Sequence, residues 1–372
     1  MFSKLSCFTP ARLRAARLLA LALTLPAALL LCAGPAGAQP QHDGSRRTAD
    51  TPPFLRNLPE PERPMLAARS FFLNMLAAGS IDFLEKRAAG VRETGETLID
   101  GQPVLAAIYT GIGDDCNCQQ RNEMMVKMVD EKLKAWRERF PESVTAEIIT
   151  GELIMNRAWA ARGGGYAGTV TQEGWAAFNE GMARAEQYFL NASARAKADP
   201  EWYAAMLDIA LARRWPPKRQ HALFVEGAKK HPRYFRLYLS AAEFYSPRWG
   251  APAQGLEEFV KHAASLHPGA LGDEIFTRLS VGYERDLGKL NGTDMPFLER
   301  VLKGYAVIVA DSPARWNYNN YARYACHASK RELLRELEIG QIQNKPIMAA
   351  WLDSADHYLM CRNAALAEPA KK

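Results

Sequence analysis

The chain has 372 residues, 48% of them hydrophobic and 24% charged, enough to bury one or two cores without the dense disulfides or structural metal that small scaffolds need. Its formal net charge is +6, but Lys4, Arg12, Arg14 and Arg17 supply four of those positive charges and no acid precedes residue 39, so the balance from Gln39 onward is only +2. A chain that close to neutral offers no general electrostatic case for nucleic acid, and any anion binding has to be local.

The four basic residues precede an apolar run over 18–31, and Ala36-Gly37-Ala38 puts small residues where a signal peptidase reads. Residues 1–38 are therefore expected to be a signal peptide cleaved after Ala38, which makes the protein periplasmic or secreted. A lipoprotein anchored at Cys32 is the competing reading, opposed by Leu31 at a position where that processing wants a small residue. No later stretch is apolar and long enough to span a membrane. Residues 39–64 hold six prolines and little apolar content, so they read as a disordered Pro-rich leader.

Folding is expected from Met65, where Phe71, Phe72, Met75 and Leu76 form an apolar stripe. Two short helices are predicted over 82–91 and 103–109, parted by a turn at Asp100-Gly101. A loop over 111–118 carries Cys116 and Cys118. The spacing of Met125, Val129, Leu133 and Trp136 then predicts an amphipathic helix over 119–139, and Val144, Ala146, Ile149, Leu153 and Ala158 predict another ending at Arg162. Residues 65–162 thus read as an N-terminal helical segment.

From 163 to 366 the pattern becomes a helical-repeat array. Thr171 is a good N-cap for a helix carrying Trp175, Phe178, Met182, Ala185 and Phe189. Helices are expected to open at Asp199-Pro200, His231-Pro232 and His267-Pro268, with Pro216-Pro217 and Pro247 closing others. The prolines at 200, 232 and 268 recur with two helices per interval, a tetratricopeptide-like period. Further helices are predicted near 275–283, 297–308, 318–326, 333–339 and 348–359, with Ser329 to Glu332 as a capping box. No alternating strand is legible, so the fold class is all-α, a tetratricopeptide-like solenoid preceded by the N-terminal segment.

Trp159, Arg162-Gly163, Gly165-Tyr166, Trp175 and Phe178, then Pro247 to Gly250, Asn320-Tyr321-Ala322 and Ala325-Cys326 carry a resemblance. In these motifs the chain resembles a bacterial family catalogued as domain of unknown function 4034, over about residues 68–360. Gly250 is followed by Ala251-Pro252, where that resemblance leads one to expect another glycine. The resemblance implies a tetratricopeptide-like helical fold. The family's activity is not established, so no catalytic residues are carried over.

Three connectors draw attention. Arg162 followed by Gly163 suits a helix end, but Gly164 and Gly165 each cost about 0.5 to 1 kcal/mol relative to alanine, which suggests backbone passing close to a neighbouring helix or a ligand. If successive helices alternate up and down, the connector with Arg162 and Tyr166, that with Arg213, Arg214 and Trp215, and that with Arg248 and Trp249 share one end of the array. They read either as a rim for an anionic, glycan or acidic-peptide ligand, or as arginines stacked on their own aromatics.

From Gln39 onward four cysteines remain, and export favours disulfides. Cys326 with Cys361 is the expected pair, closing a loop of about 35 residues; Cys326-His327 and His357-x-x-x-Cys361 are alternatively four metal ligands on neighbouring helices. Cys116 and Cys118 are a candidate redox pair. No Gly-x-Ser-x-Gly elbow, His-Glu-x-x-His or nucleotide fingerprint occurs, no cofactor is implied, and Glu243 and Asp353 read as parts of solvated helix faces. The functional expectation is an exported, non-enzymatic repeat protein that binds a protein or glycan in the cell envelope; the alternative is an envelope enzyme acting on glycan or peptide.

Overall fold

The computed structural model describes residues 63–114, 123–165, 167–252, 254–288 and 294–367. The expected signal peptide, nearly all of the leader, Tyr166 and the Cys116 and Cys118 pair lie outside them. Among the described residues every regular element is helical, and the sole β feature is an isolated bridge between Thr97 and Pro103. No helix of these residues is long and apolar enough to cross a membrane.

Four helices come first: α1 (Pro64–Ala77), α2 (Ile81–Thr94), α3 (Val104–Gly113) and α4 (Glu123–Arg139). The glycine segment then joins α5 (Val144–Arg162) to α6 (Gln172–Leu190), and a single turn, α7 (Ala194–Lys197), leads on. Next come α8 (Pro200–Ala212) with α9 (Pro217–Lys230), α10 (Phe235–Phe244) with α11 (Gly255–Ser265), and α12 (Ala270–Gly282). The short α13 (Glu284–Leu287) precedes α14 (Met295–Asp311), α15 (Arg315–His327), α16 (Arg331–Leu337) and α17 (Ala355–Leu366). First helices of successive hairpins start at 200, 235 and 270, a period of 35 close to the roughly 34 residues of a tetratricopeptide unit.

Burial separates the two helices of each hairpin. In α8 every residue from Tyr203 to Ala210 is buried, and α10 and α12 are covered almost as completely. Their partners α9 and α11 bury single stripes, Gln220, Phe224, Gly227 and Ala228 in one, and Leu256, Phe259, Val260, Ala263 and Ala264 in the other. The reason is serial packing: α8 touches α10 and α10 touches α12 as well as their own partners, so first helices have neighbours on several sides and second helices on one.

Capping chemistry sets most of the starts. The side chains of Ser143, Thr171 and Asp199 accept hydrogen bonds from the first-turn amides of α5, α6 and α8. Three expectations need correction. Pro216-Pro217 opens α9 rather than closing α8, because a proline at the first helical position forfeits no hydrogen bond, while Pro232 and Pro268 stand in turns ahead of α10 and α12. The expected capping box fails because Ser329 is already spent in a left-handed turn ending α15, where the Lys330 amide bonds back to Ala325. The helix expected over 348–359 breaks at Leu352 and Asp353, both left-handed, and resumes as α17.

The N-terminal helices pack against the first helices of the array. Helix α3 is buried at nine of its ten residues, between α1 and α5. The turn before it reaches much further: the Asp100 carbonyl accepts from Arg278 of α12 and Asn317 of α15, both at 3.2 Å. Gly101 has a positive φ of 83°, and a Cβ there would stand 2.5 Å from Arg278 Nη2. A glycine is therefore demanded twice, by conformation and by close approach. On the other side Arg92 of α2 donates to Asp199 at 2.6 Å and to Thr145 and Tyr109.

Candidate functional site

Arg162 ends α5 and turns back on its own loop. Its Nη1 donates to the carbonyls of Gly163 and Gly165 at 3.1 Å, and its guanidinium lies 4.9 Å from the Trp175 ring and 5.7 Å from Trp159. Gly163 carries a φ of 85° that a side chain would resist. Close approach of the following glycines to a neighbouring helix is not found: Gly164 faces open space, and a Cβ at Gly165 would meet only Thr169 of the same loop. Their freedom serves a loop folded around its arginine, with no neighbouring helix pressed against it.

The other two connectors share a different device. At the end of α8, Arg213 Nε and Trp215 Nε1 both donate to Glu186 of α6, at 2.9 and 2.7 Å, and Arg219 stacks on the Trp215 ring at 3.3 Å. Trp215 is only 8% exposed; Arg214 between them is exposed and left-handed. At the end of α10, Trp249 Nε1 donates to Glu243 at 2.7 Å, and Arg248 reaches Glu243 at 3.3 Å and Asp286 at 2.9 Å. In both, one carboxylate is clasped by an arginine and an indole N–H. Glu243 is 4% exposed, so its reading as part of a solvated face is corrected, and Asp353 stands in a turn rather than in a helix. The signal available in sequence was the short interval from Glu243 to Arg248-Trp249; Glu186, 27 residues before Arg213, had none.

Tertiary packing brings two of the three connectors together. The Trp159 and Trp249 rings meet edge to face at 5.7 Å, with Phe178 4.6 Å from Trp159 and Trp175 5.8 Å from Phe178. Trp249 remains 43% exposed. Arg213 and Trp215 are held elsewhere, because Glu186 lies near the far end of α6 from Trp175, eleven residues and about 16 Å along the axis. The surface formed is an aromatic platform of Trp159, Trp175 and the exposed Trp249 over the buried Phe178, flanked by Arg162 and Arg248, and Trp159 and Trp175 belong to it although the three-connector pattern left them out. Tyr166 lies outside the described residues.

Beneath it runs a buried charge network that periodicity does not announce. Arg236 of α10 reaches Glu201 at 2.5 Å and Asp208 at 3.4 Å on α8, and Glu152 of α5 at 3.6 Å. The Tyr234 hydroxyl donates to Glu201 as well. Three carboxyl groups compete for one guanidinium, with Glu152 and Glu201 at 1% and 0% exposure. Burial first, and Glu201 beside it next, push the Glu152 carboxyl well above the usual carboxylate range, against the pull of Arg236. The folded protein therefore holds a proton on Glu152 that the unfolded chain releases near pH 4.5. Stability from this group is full below that pH and is lost as pH rises toward the folded value. Glu152→Gln is expected to flatten that decline in urea midpoints measured from pH 4.5 upward; an identical slope in both proteins refutes the assignment.

At the C-terminal end, Cys326 of α15 and Cys361 of α17 form a disulfide with Cα atoms 5.7 Å apart, the pairing expected from the sequence. His357 lies one turn before Cys361, its ring 5.1 Å from His327 and 5.7 Å from Trp351. Burial, and then the positive charge of Arg323, hold His357 below the usual histidine range.

These features define an all-α helical-repeat protein in which two connectors each clasp a carboxylate with arginine and tryptophan. Residues 74–226 match the family model described as "Domain of unknown function (DUF4034)". The match takes in the Trp159 to Phe178 motifs and stops before the Pro247 to Gly250 and Asn320 to Cys326 motifs. No curated protein and no solved structure matches the chain.

Proposed function

We propose that the protein is an exported, non-enzymatic binding module that holds a protein or glycan partner in the cell envelope through the platform of Trp159, Trp175 and Trp249. The observation that carries this reading is the meeting of Trp159 with a Trp249 that stays 43% exposed, between two arginines. Exposed indole faces beside guanidinium groups suit stacking on sugar rings or on peptide side chains. Arg248 is the cation that a partner carboxylate would compete for, since its side chain is 41% exposed while it pairs with Glu243 and Asp286.

Crosslinking and pull-down from the envelope of the native host tests this, comparing wild type with Arg162→Ala plus Trp249→Ala. The variant is expected to lose at least about tenfold in capture, the scale of one hot-spot side chain, with helicity by circular dichroism unchanged. Equal capture by both removes the platform. The alternative, an envelope enzyme acting on glycan or peptide, draws on the nearness of Glu243 and Asp286 to Trp249. Ion pairing of both carboxylates to Arg248 opposes their service as free acid and base, which is why binding is preferred.

A further inference from the structure

The Cys326–Cys361 disulfide lies among other groups suited to a metal. Ligand atoms of Cys326, His357 and Cys361 all fall within 4.8 Å of one another, and the His327 ring stands beside His357. Tetrahedral zinc with thiolate and imidazole ligands at about 2.0 to 2.3 Å keeps them roughly 3.3 to 3.8 Å apart. Once the sulfur–sulfur bond is open, small rotamer adjustments reach that spacing. The scaffold is suitable as well. His357 and Cys361 share one face of α17, four residues apart, and Trp351 walls the site through its ring contact with His357.

We propose that Cys326, His357 and Cys361, with His327 as fourth ligand, form a zinc site that opens when the disulfide is reduced. A dithiol reductant supplies two electrons and two protons; its own sulfurs close into a disulfide while Cys326 and Cys361 become thiols. Zinc binding then releases both thiol protons to solvent and leaves two zinc–thiolate bonds. Disulfide and metal are thus alternative fastenings of α17 to α15, selected by redox state.

The test uses the full-length protein with Cys7→Ser, Cys32→Ser, Cys116→Ser and Cys118→Ser, leaving Cys326 and Cys361 as the only thiols. Cobalt(II) alone, added to the dithiol-reduced and buffer-exchanged chain, is expected to bind at one per chain with tetrahedral and thiolate-to-cobalt absorption bands, and zinc should displace it. The oxidised chain should show neither band. His357→Ala, whose fold is established in the oxidised form before reduction, should weaken cobalt affinity by at least roughly tenfold, a loss seen even for outer-shell partners of metal sites. Absence of stoichiometric uptake after reduction, equal uptake by the oxidised chain, or unchanged affinity in His357→Ala overturns the proposal.

Discussion

Arg236→Met is expected to destabilise the protein by about 3 to 5 kcal/mol, the usual result of removing one partner from a buried ion cluster. Arg236 pairs with Glu201, Asp208 and Glu152, and its side chain is only 12% exposed. Methionine fills much of the same volume, so the loss comes from stranded negative charge rather than from a cavity. Removing part of that charge should therefore help: Arg236→Met with Glu201→Gln is expected to be more stable than Arg236→Met alone, although Tyr234 still donates to position 201. Urea unfolding followed by circular dichroism checks both. If the double variant is no better than the single, Arg236 acts through packing and the electrostatic account falls. The cluster ties α5, α8 and α10 together, so a broadened or two-stage transition in the single variant would further indicate that the hairpins have uncoupled.

Removing the Cys326–Cys361 bond has the second largest expected effect. Cys326→Ser with Cys361→Ser should cost about 3 to 4 kcal/mol in the chain-entropy account, given a separation of 35 residues. The bond joins α15 to the last helix, and other contacts there act alongside it. Tyr358 donates to Glu338 at 2.8 Å, and Asn319 accepts from Trp351 Nε1 and the Ile347 amide, each at 3.0 Å. The expected outcome is a lower urea midpoint with α17 exchanging its amide protons first, while α5, α8 and α10 keep their protection. A midpoint equal to that of the wild type under non-reducing conditions would show that the surrounding contacts hold α17 by themselves.

Much of the architecture was legible locally. Thr171, with Trp175, Phe178, Met182, Ala185 and Phe189 at helical spacing, predicted α6 and its cap because an amphipathic stripe and an N-cap each depend on residues within a few positions. The prolines near 200, 232 and 268 marked the hairpin period although two of them stand in turns. Where readings went astray, a neighbouring element had claimed the residue. Ser329 was taken by the end of α15, and Pro217 by the start of α9.

The candidate surface divides along the same line. By itself the sequence determined the all-α repeat character and the recurrence of arginine beside tryptophan in the connectors, since each follows from composition or short-range spacing, and it favoured the pairing of Cys326 with Cys361 over a metal site. Only the tertiary structure decided that Trp159 meets Trp249 while Arg213 and Trp215 are held at Glu186, and that Glu152, Glu201 and Asp208 converge on Arg236. Those contacts join residues 27 to 90 positions apart, and the Asp100 carbonyl finds Asn317 across 217. Helical periodicity tells which face of a helix is apolar; which carboxylate a buried arginine will meet depends on the angle and order of helix packing, and no local spacing encodes that.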